Sequence, residues 1–582
     1  MIKKKFILLL LFFTFLLNLS TVVYSIDVNS CGTTISSSGV YNVTADLPTS
    51  GNCLFINAAN VVLNCHGHSL TGDGAGNDYG VRINFDNVTV ENCNISNFNH
   101  GIYFNSVSNS NAFFNNVTSN THTGIYLTGS NNNEIISNIV SNNAYAGIRM
   151  TSNSNSNVIS SNIVYGEDKG IYVYSSVNNY INLNYVANSS DTGIHVEQNS
   201  LNTSIVSNTI INSTTEAIHV YSNSHYAKII SNVLIDNPSY GISMEGSADN
   251  HTINYNNVSG TGSFALALNS QDNSDIAYNR FINNGYGISI YSSDTNDIFN
   301  NFIVNNTGYG ISIAWGAESN NIISNIVNGN DIGLDINNIN TNVSGNEFCR
   351  NDKMGIKLGS SADYNSISFN EICGNLESGI DLDGSLYNVF ISNNIYDNTL
   401  SGIYLHSSAN HNTFSSNDVY NNSNGIYISG GLNNTFTLNT IFKNVGDGIY
   451  LFSTNDNTFF DNSIYDNLNN NLYFHSNSGS YSNLFYSNYL GNITKINSNL
   501  WSRWNSDFNL LDVGNTYSNQ ISGKYCFDNP TNNSCDNFAE LYVPVVTSSN
   551  PVSPGSLGTV SLPGFGFGSI FVVFAILIFG LI

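Results

Sequence analysis

Charge is what this 582-residue chain has least of. Its 15 Lys and Arg and 40 Asp and Glu amount to 9% of residues, where an ordinary globular domain carries roughly 25%. The formal net charge of −25 excludes the basic footprint that nucleic-acid binding requires. Lys3, Lys4 and Lys5 stand at the extreme N-terminus, so loss of a leader takes the balance to −25 − 3 = −28. Proline is rare, at seven residues, and methionine rarer, at four. There is no Walker motif, nucleophile elbow or HExxH, hence no signature of a P-loop nucleotidase, a serine hydrolase or a zinc protease. No CxxC or paired Cys/His spacing marks a metal cluster, and no cofactor is implied. Asparagine takes the place of charge, at 106 positions. With 34 Tyr, 33 Phe and 41% hydrophobic residues, the chain is too rich in core formers to be a disordered polar tract.

The two ends bear on the compartment. Residues 1–25 have the form of a secretory signal: a basic start, an apolar run over 6–17, then small residues near Val23 and Ser25. Read as an uncleaved anchor, the same stretch still exports the chain. Residues 544–563 have the Pro, Ser and Gly composition of a linker. Residues 564–582 form an apolar, uncharged tail which, counted from Val560, is long enough to span a bilayer. Its lead-in, Leu562-Pro563-Gly564-Phe565-Gly566, resembles the PGF-CTERM sorting signal of archaeal surface proteins, although the chain ends Phe579-Gly580-Leu581-Ile582 rather than in Arg or Lys. The expectation is a protein held at the outer face of the cell membrane. Eight cysteines suit disulfides there, and Asn87, Asn94, Asn116, Asn257, Asn342 and Asn492 open sequons for glycans.

Between the ends the chain repeats itself. A Gly-Ile element recurs at Gly101, Gly124, Gly147, Gly170 and Gly193, then, with Ala at two positions, through Ala217, Gly241, Ala265, Gly287, Gly310, Gly333, Gly355, Gly379, Gly402, Gly425 and Gly448. Each step is 22 to 24 residues. Within a copy, Gly124-Ile125-Tyr126-Leu127-Thr128 puts Ile125 and Leu127 on one face and Tyr126 and Thr128 on the other, the alternation of a strand. Two further apolar runs follow, such as 135–136 and 139–140. Three short strands fit this period; a helix pair needs more than about 30 residues.

A copy that exposes its aliphatic set is stable only with neighbours above and below. Parallel strands at about 4.8 Å then place residues one period apart over one another, and columns of like residues follow. An Asn column runs from Asn115, Asn138 and Asn162 through Asn301 to Asn439 and Asn462, suited to a ladder of stacked amides. Cys349 and Cys373 each follow a residue of one inward column and are 24 apart, within disulfide reach. Cys65 and Cys93 end apolar strands one long coil apart, Cys31 with Cys53 clamps an N-terminal cap, and Cys526 with Cys535 closes a loop near the C-terminus. The reading is all-β: a parallel β-helix with a cap and irregular coils over 26–100, regular coils over 101–490 and an aromatic-rich module over 491–543, which contains Trp501, Trp504 and Phe508.

This pattern, with Cys31-Gly32-Thr33 and Asn60-Val61-Val62-Leu63-Asn64-Cys65-His66-Gly67-His68 at its start, resembles the NosD-like and CASH (carbohydrate-binding and sugar-hydrolase) β-helix proteins. The resemblance implies a right-handed coil. A copper role follows only from the NosD name; four Met and few clustered His provide poorly for it.

Outward residues of a β-helix strand form a display with one residue per coil, so chemistry is read down columns. Arg149, Tyr172, Tyr174, His195, Glu197, His219, Tyr221 and Glu245 gather within about four coils. Aromatic faces can stack on sugars, while His and Glu can bond hydroxyls or move protons; equally, outward Tyr can simply cover a strand. A second group holds Asp335, Lys357, Asp381, Asp383 and His406. It reads as a cross-coil ion-pair ladder or as a carboxylate site of the kind glycosidases use. No catalytic residue is assigned, with Glu197, His219, Asp381 and Asp383 the candidates. The leading expectation is a surface rod with a glycan-compatible face and a polysaccharide partner; the alternative is a polysaccharide lyase, epimerase or hydrolase.

Overall fold

The computed structural model describes residues 25–475 and 483–491, with further short strands at Phe508–Asn509, Tyr525–Phe527 and Ser534–Asp536. The expected linker and apolar tail fall outside the described residues, as do the leader up to residue 24 and most of the aromatic module. The chain divides into units 1–541 and 542–582, and the second holds no described residue.

One coil shows how the sequence makes the fold. Strand Thr123–Thr128 buries Ile125 and Leu127 fully and turns Tyr126 outward. After a short turn, Glu134–Ile136 buries Ile135, and Ile139–Ser141 buries Val140. The next coil begins at Ala146–Thr151. Repetition yields three sheets: a Gly-Ile sheet of 20 strands, a second sheet of 22 and a third of 19. Pairing is parallel from coil to coil, so that Ile125 lies between Ile102 and Ile148. The inward aliphatics thereby become one continuous core, each buried side chain contributing about 1.5–3 kcal/mol. Toward the C-terminal end, Phe390, Phe414, Phe436, Phe459 and Phe485 stack inside it with ring centroids 4.4 to 4.7 Å apart.

The corners explain the asparagine. Between the second and third sheets the chain turns on one residue in the left-handed region, such as Leu183 (φ 56°) or Leu438 (φ 57°). This conformation costs a non-glycine residue about 1–2 kcal/mol. The residue that follows is the column Asn. Asn301 Nδ2 donates to Ile276 O at 2.8 Å and to Asn325 Oδ1 at 3.0 Å, while Asn301 Oδ1 accepts from Asn279 N at 2.9 Å. Backbone groups that a corner deprives of strand partners are thus satisfied inside the stack. The ladder runs from Asn115 to Asn488. Two more amide columns, from Asn120 and from Asn133, line other corners, and a serine column links Ser130, Ser154, Ser176 and Ser200.

The Gly column has a steric cause. At Gly310 a Cβ would stand 2.4 Å from Val327 Cγ1 and 2.7 Å from Gly333 O. Ala217 and Ala265 show that individual coils can open enough for a methyl group.

Three disulfides join successive coils: Cys31–Cys53, Cys65–Cys93 and Cys349–Cys373, with Cα separations of 4.1, 4.7 and 4.5 Å. Cys526 and Cys535 oppose each other in an antiparallel strand pair, but their side chains lie outside the described residues.

Candidate functional site

The outward column of the Gly-Ile sheet is in register throughout the first group: Tyr126 beside Arg149, then Tyr172, His195, His219 and Ser243. Tyr174 lies beside Glu197 on the same face. Strand pairing, not proximity in sequence, assembles these groups.

They interlock. Glu197 accepts a hydrogen bond from the Tyr172 hydroxyl, and its other oxygen lies 3.1 Å from His195 Nε2. The His195 and His219 rings meet edge-on at 4.8 Å, and Tyr221 packs against His219 at 5.6 Å. Glu245 accepts from Ser243 Oγ at 3.2 Å. Lys169, which no sequence motif marks, bonds Asp191 and lies 3.4 Å from Asp168. The Arg149 guanidinium sits 5.1 Å from the ring centroids of Tyr126 and Tyr145 and 5.5 Å from that of Tyr172.

This packing sets the electrostatics. The hydrogen bond from His195 holds the Glu197 carboxyl below its usual range, against burial and with help from Tyr172. Burial, then Glu197, drives the Tyr172 hydroxyl far up. Burial and the neighbouring His195 lower the His219 pKa. Tyr172 is only 5% exposed and His195 8%. Its ring covered by Arg149 and His195, Tyr172 has no open face for a sugar; Tyr221, 42% exposed, does.

The second group departs from the ladder expected of it. Lys357 is in register between Asp335 and Asp381, yet no Lys357 ion pair within 4.0 Å is present among the described residues. Asp335 instead accepts from Asn337 Nδ2 at 2.6 Å, and Asp381 Oδ1 lies 3.1 Å from His406 Nε2. His406 Nδ1 is 3.5 Å from Asp383 Oδ1, so one imidazole spans both carboxylates. Both column aspartates are nearly buried. Burial raises the pKa of Asp335 and of Asp381, partly offset by Lys357 and by His406 respectively.

A family model described as "Right handed beta helix region" matches residues 24–186, 79–234, 313–441 and 366–537, more than half of the chain. The chain belongs to the right-handed β-helix family. Within this β-helix, residues 216–340 also match the model of the "Periplasmic copper-binding protein (NosD)". Similar solved structures include an alginate lyase from Paenibacillus sp. (14% identity, 41% of this chain and 95% of that one, TM-score 0.33). Others are the Dettilon tailspike protein (15%, 57% and 65%, 0.32) and a periplasmic alginate epimerase (14%, 58% and 77%, 0.30). No curated protein matches the chain.

The copper in the NosD description does not fit this β-helix. In the matched stretch, His251 is enclosed in a corner ladder, accepting from Ala227 N at 3.1 Å and lying 3.0 Å from Ala248 O and Gln271 Oε1. His225 accepts from Asp249 N at 2.8 Å. Among the described residues no group of three or more His, Cys, Asp or Glu is placed to hold a metal ion. His66, in the opening coil, serves a turn with φ 49°. Three disulfides are consistent with maturation in an oxidising compartment.

Proposed function

We propose that the protein is an exported, surface-tethered β-helix that holds polysaccharide on its Gly-Ile face without turning it over. The observation that carries this reading is the Tyr172–Glu197–His195 network. Tyr172 and His195 Nε2 both engage the Glu197 carboxylate, which stays ionised, so the group is a hydrogen-bonding surface, with His195 Nδ1 left without a partner, and not an acid poised beside a base. Tyr174, Tyr221 and Glu245 supply its rim. The apolar composition of 564–582 supports a membrane tether.

One observation favours polysaccharide cleavage or epimerisation instead. Burial holds Asp335 and Asp381 above the normal carboxylate range, as a general acid requires. A glycan array on the purified chain, with every hit incubated for product, separates the two. Binding without product, weakened about tenfold by Glu197→Ala or His219→Ala in a folded protein, supports the binding surface. Product that disappears in Asp381→Asn sinks it.

A further inference from the structure

Arg149 belongs to a strip that continues N-terminally beyond the residues discussed so far. On the same outward face lie Tyr79, Arg82, His100, Tyr103 and Tyr126, one coil above another, with His122 packing against His100 from the turn before its strand. The two arginines are held alike. Arg82 sits 5.2 Å from the Tyr79 ring centroid and 5.5 Å from that of Tyr103, much as Arg149 sits among its three tyrosines. His100 and His122 lie between them, with ring centroids 5.1 Å apart.

Cations are few in this chain, and some are neutralised within it. Lys169, Arg350 and Lys353 are paired with carboxylates. Arg82 and Arg149 are not: within 4.0 Å neither meets an acidic oxygen among the described residues, and Arg82 Nε donates to the neutral Asn84 at 3.0 Å. Arg149 Nε and His100 Nδ1 are buried without a hydrogen-bond partner. A protein of net charge −25 thus keeps two guanidiniums on one face, braced by aromatic rings and free of internal counter-ions. Bracing of this kind stabilises a cation through the ring faces and fixes its direction.

We infer that this strip, from Tyr79 to Tyr172, binds an acidic polysaccharide through its carboxylates. The guanidiniums are three coils apart, about 14 Å, along a track that advances by roughly a sugar ring per coil. A planar guanidinium pairs with a carboxylate through two parallel hydrogen bonds. Nucleic acid is the poorer complement, because its dense run of phosphate charge would be repelled by the acidic remainder of the chain. The inference rests on the Gly-Ile face being a glycan surface and adds the class of glycan.

The test uses the full chain with polygalacturonate, its methyl ester, a neutral glucan and single-stranded DNA, measured by calorimetry at low and high salt. The expected result is salt-sensitive binding of polygalacturonate, with the ester bound at least tenfold more weakly. Arg82→Gln and Arg149→Gln should each weaken binding about tenfold, while Arg350→Gln, at a paired cation elsewhere, leaves it unchanged. Circular dichroism and melting check the fold, and Arg82→Gln serves if Arg149→Gln does not fold. Equal binding of acid and ester, unchanged binding by the folded variants, or DNA bound as well as polygalacturonate would overturn it. Neutral glucan bound in place of polygalacturonate would overturn the acidic class while leaving the glycan surface standing.

Discussion

Glu167 occupies a position in the corner ladder where neighbouring coils carry asparagine or serine. It is 1% exposed and accepts from Asn143 N at 2.7 Å and from Asn143 Nδ2 at 3.0 Å. Burial pushes its pKa from 4.5 up to about 8, despite those two donors. The unfolded chain therefore ionises Glu167 first, and its contribution to stability falls as pH rises from about 4.5 to about 8. Glu167→Asn should remove that slope, raising the melting temperature at pH 8 and changing it little at pH 4. A pH series of thermal melts reads this directly, and parallel slopes for both proteins would refute it. His251 has the opposite sign: burial lowers its pKa from 6.5 to about 4. Its contribution is whole above pH 6.5 and is lost as pH falls toward 4, a loss His251→Asn should abolish.

At the scale of the corner and the strand, the amide ladder and the left-handed residue work together. Asn301→Ala strips Ile276 O and Asn279 N of these partners in a dry interior, while Asn325 Oδ1 keeps only the Asn301 N–H. The expected cost is about 3 kcal/mol, measured by denaturant unfolding. Asn301→Asp should cost at least as much, because a buried charge replaces the amide. A cost below about 0.5 kcal/mol for Asn301→Ala would show that water or backbone adjustment satisfies the corner. Leu183 should tolerate Asn or Gly, whereas Leu183→Val places a β-branched residue at φ 56° and should destabilise the protein.

At the scale of the molecule, stability is the sum of coil interfaces, and the disulfides are unevenly spread along it. Two staple the first coils, one joins the coils at Cys349 and Cys373, and among residues 374–475 no cysteine occurs. Hydrogen exchange should be slowest for strands between Cys65 and Cys373 and faster toward the C-terminal coils. Replacing Cys349 and Cys373 by Ala removes a closed loop of sequence separation 24. This should cost about 3 kcal/mol and carry fast exchange toward the middle of the stack. Unchanged exchange there would mean that core packing alone makes the coils cooperative.

Much of this architecture can be read from one dimension because each coil repeats its neighbour's environment. A parallel stack turns a period of 22 to 24 residues into vertical columns, which is why the amides from Asn115 to Asn462, the inward pairs such as Ile125 and Leu127, and the stacking of Cys349 on Cys373 follow from spacing. Spacing also finds which residues share a face. It does not say how their side chains turn. That His406 would span Asp381 and Asp383, that Lys357 would form no ion pair, and that Arg149 would be ringed by Tyr126, Tyr145 and Tyr172 depended on rotamers chosen by packing between coils. Lys169, Glu167 and the pair formed by Arg82 and Arg149 carried no motif at all. Their character comes from burial and from the absence or presence of a counter-charge, properties that exist only once the chain is wound.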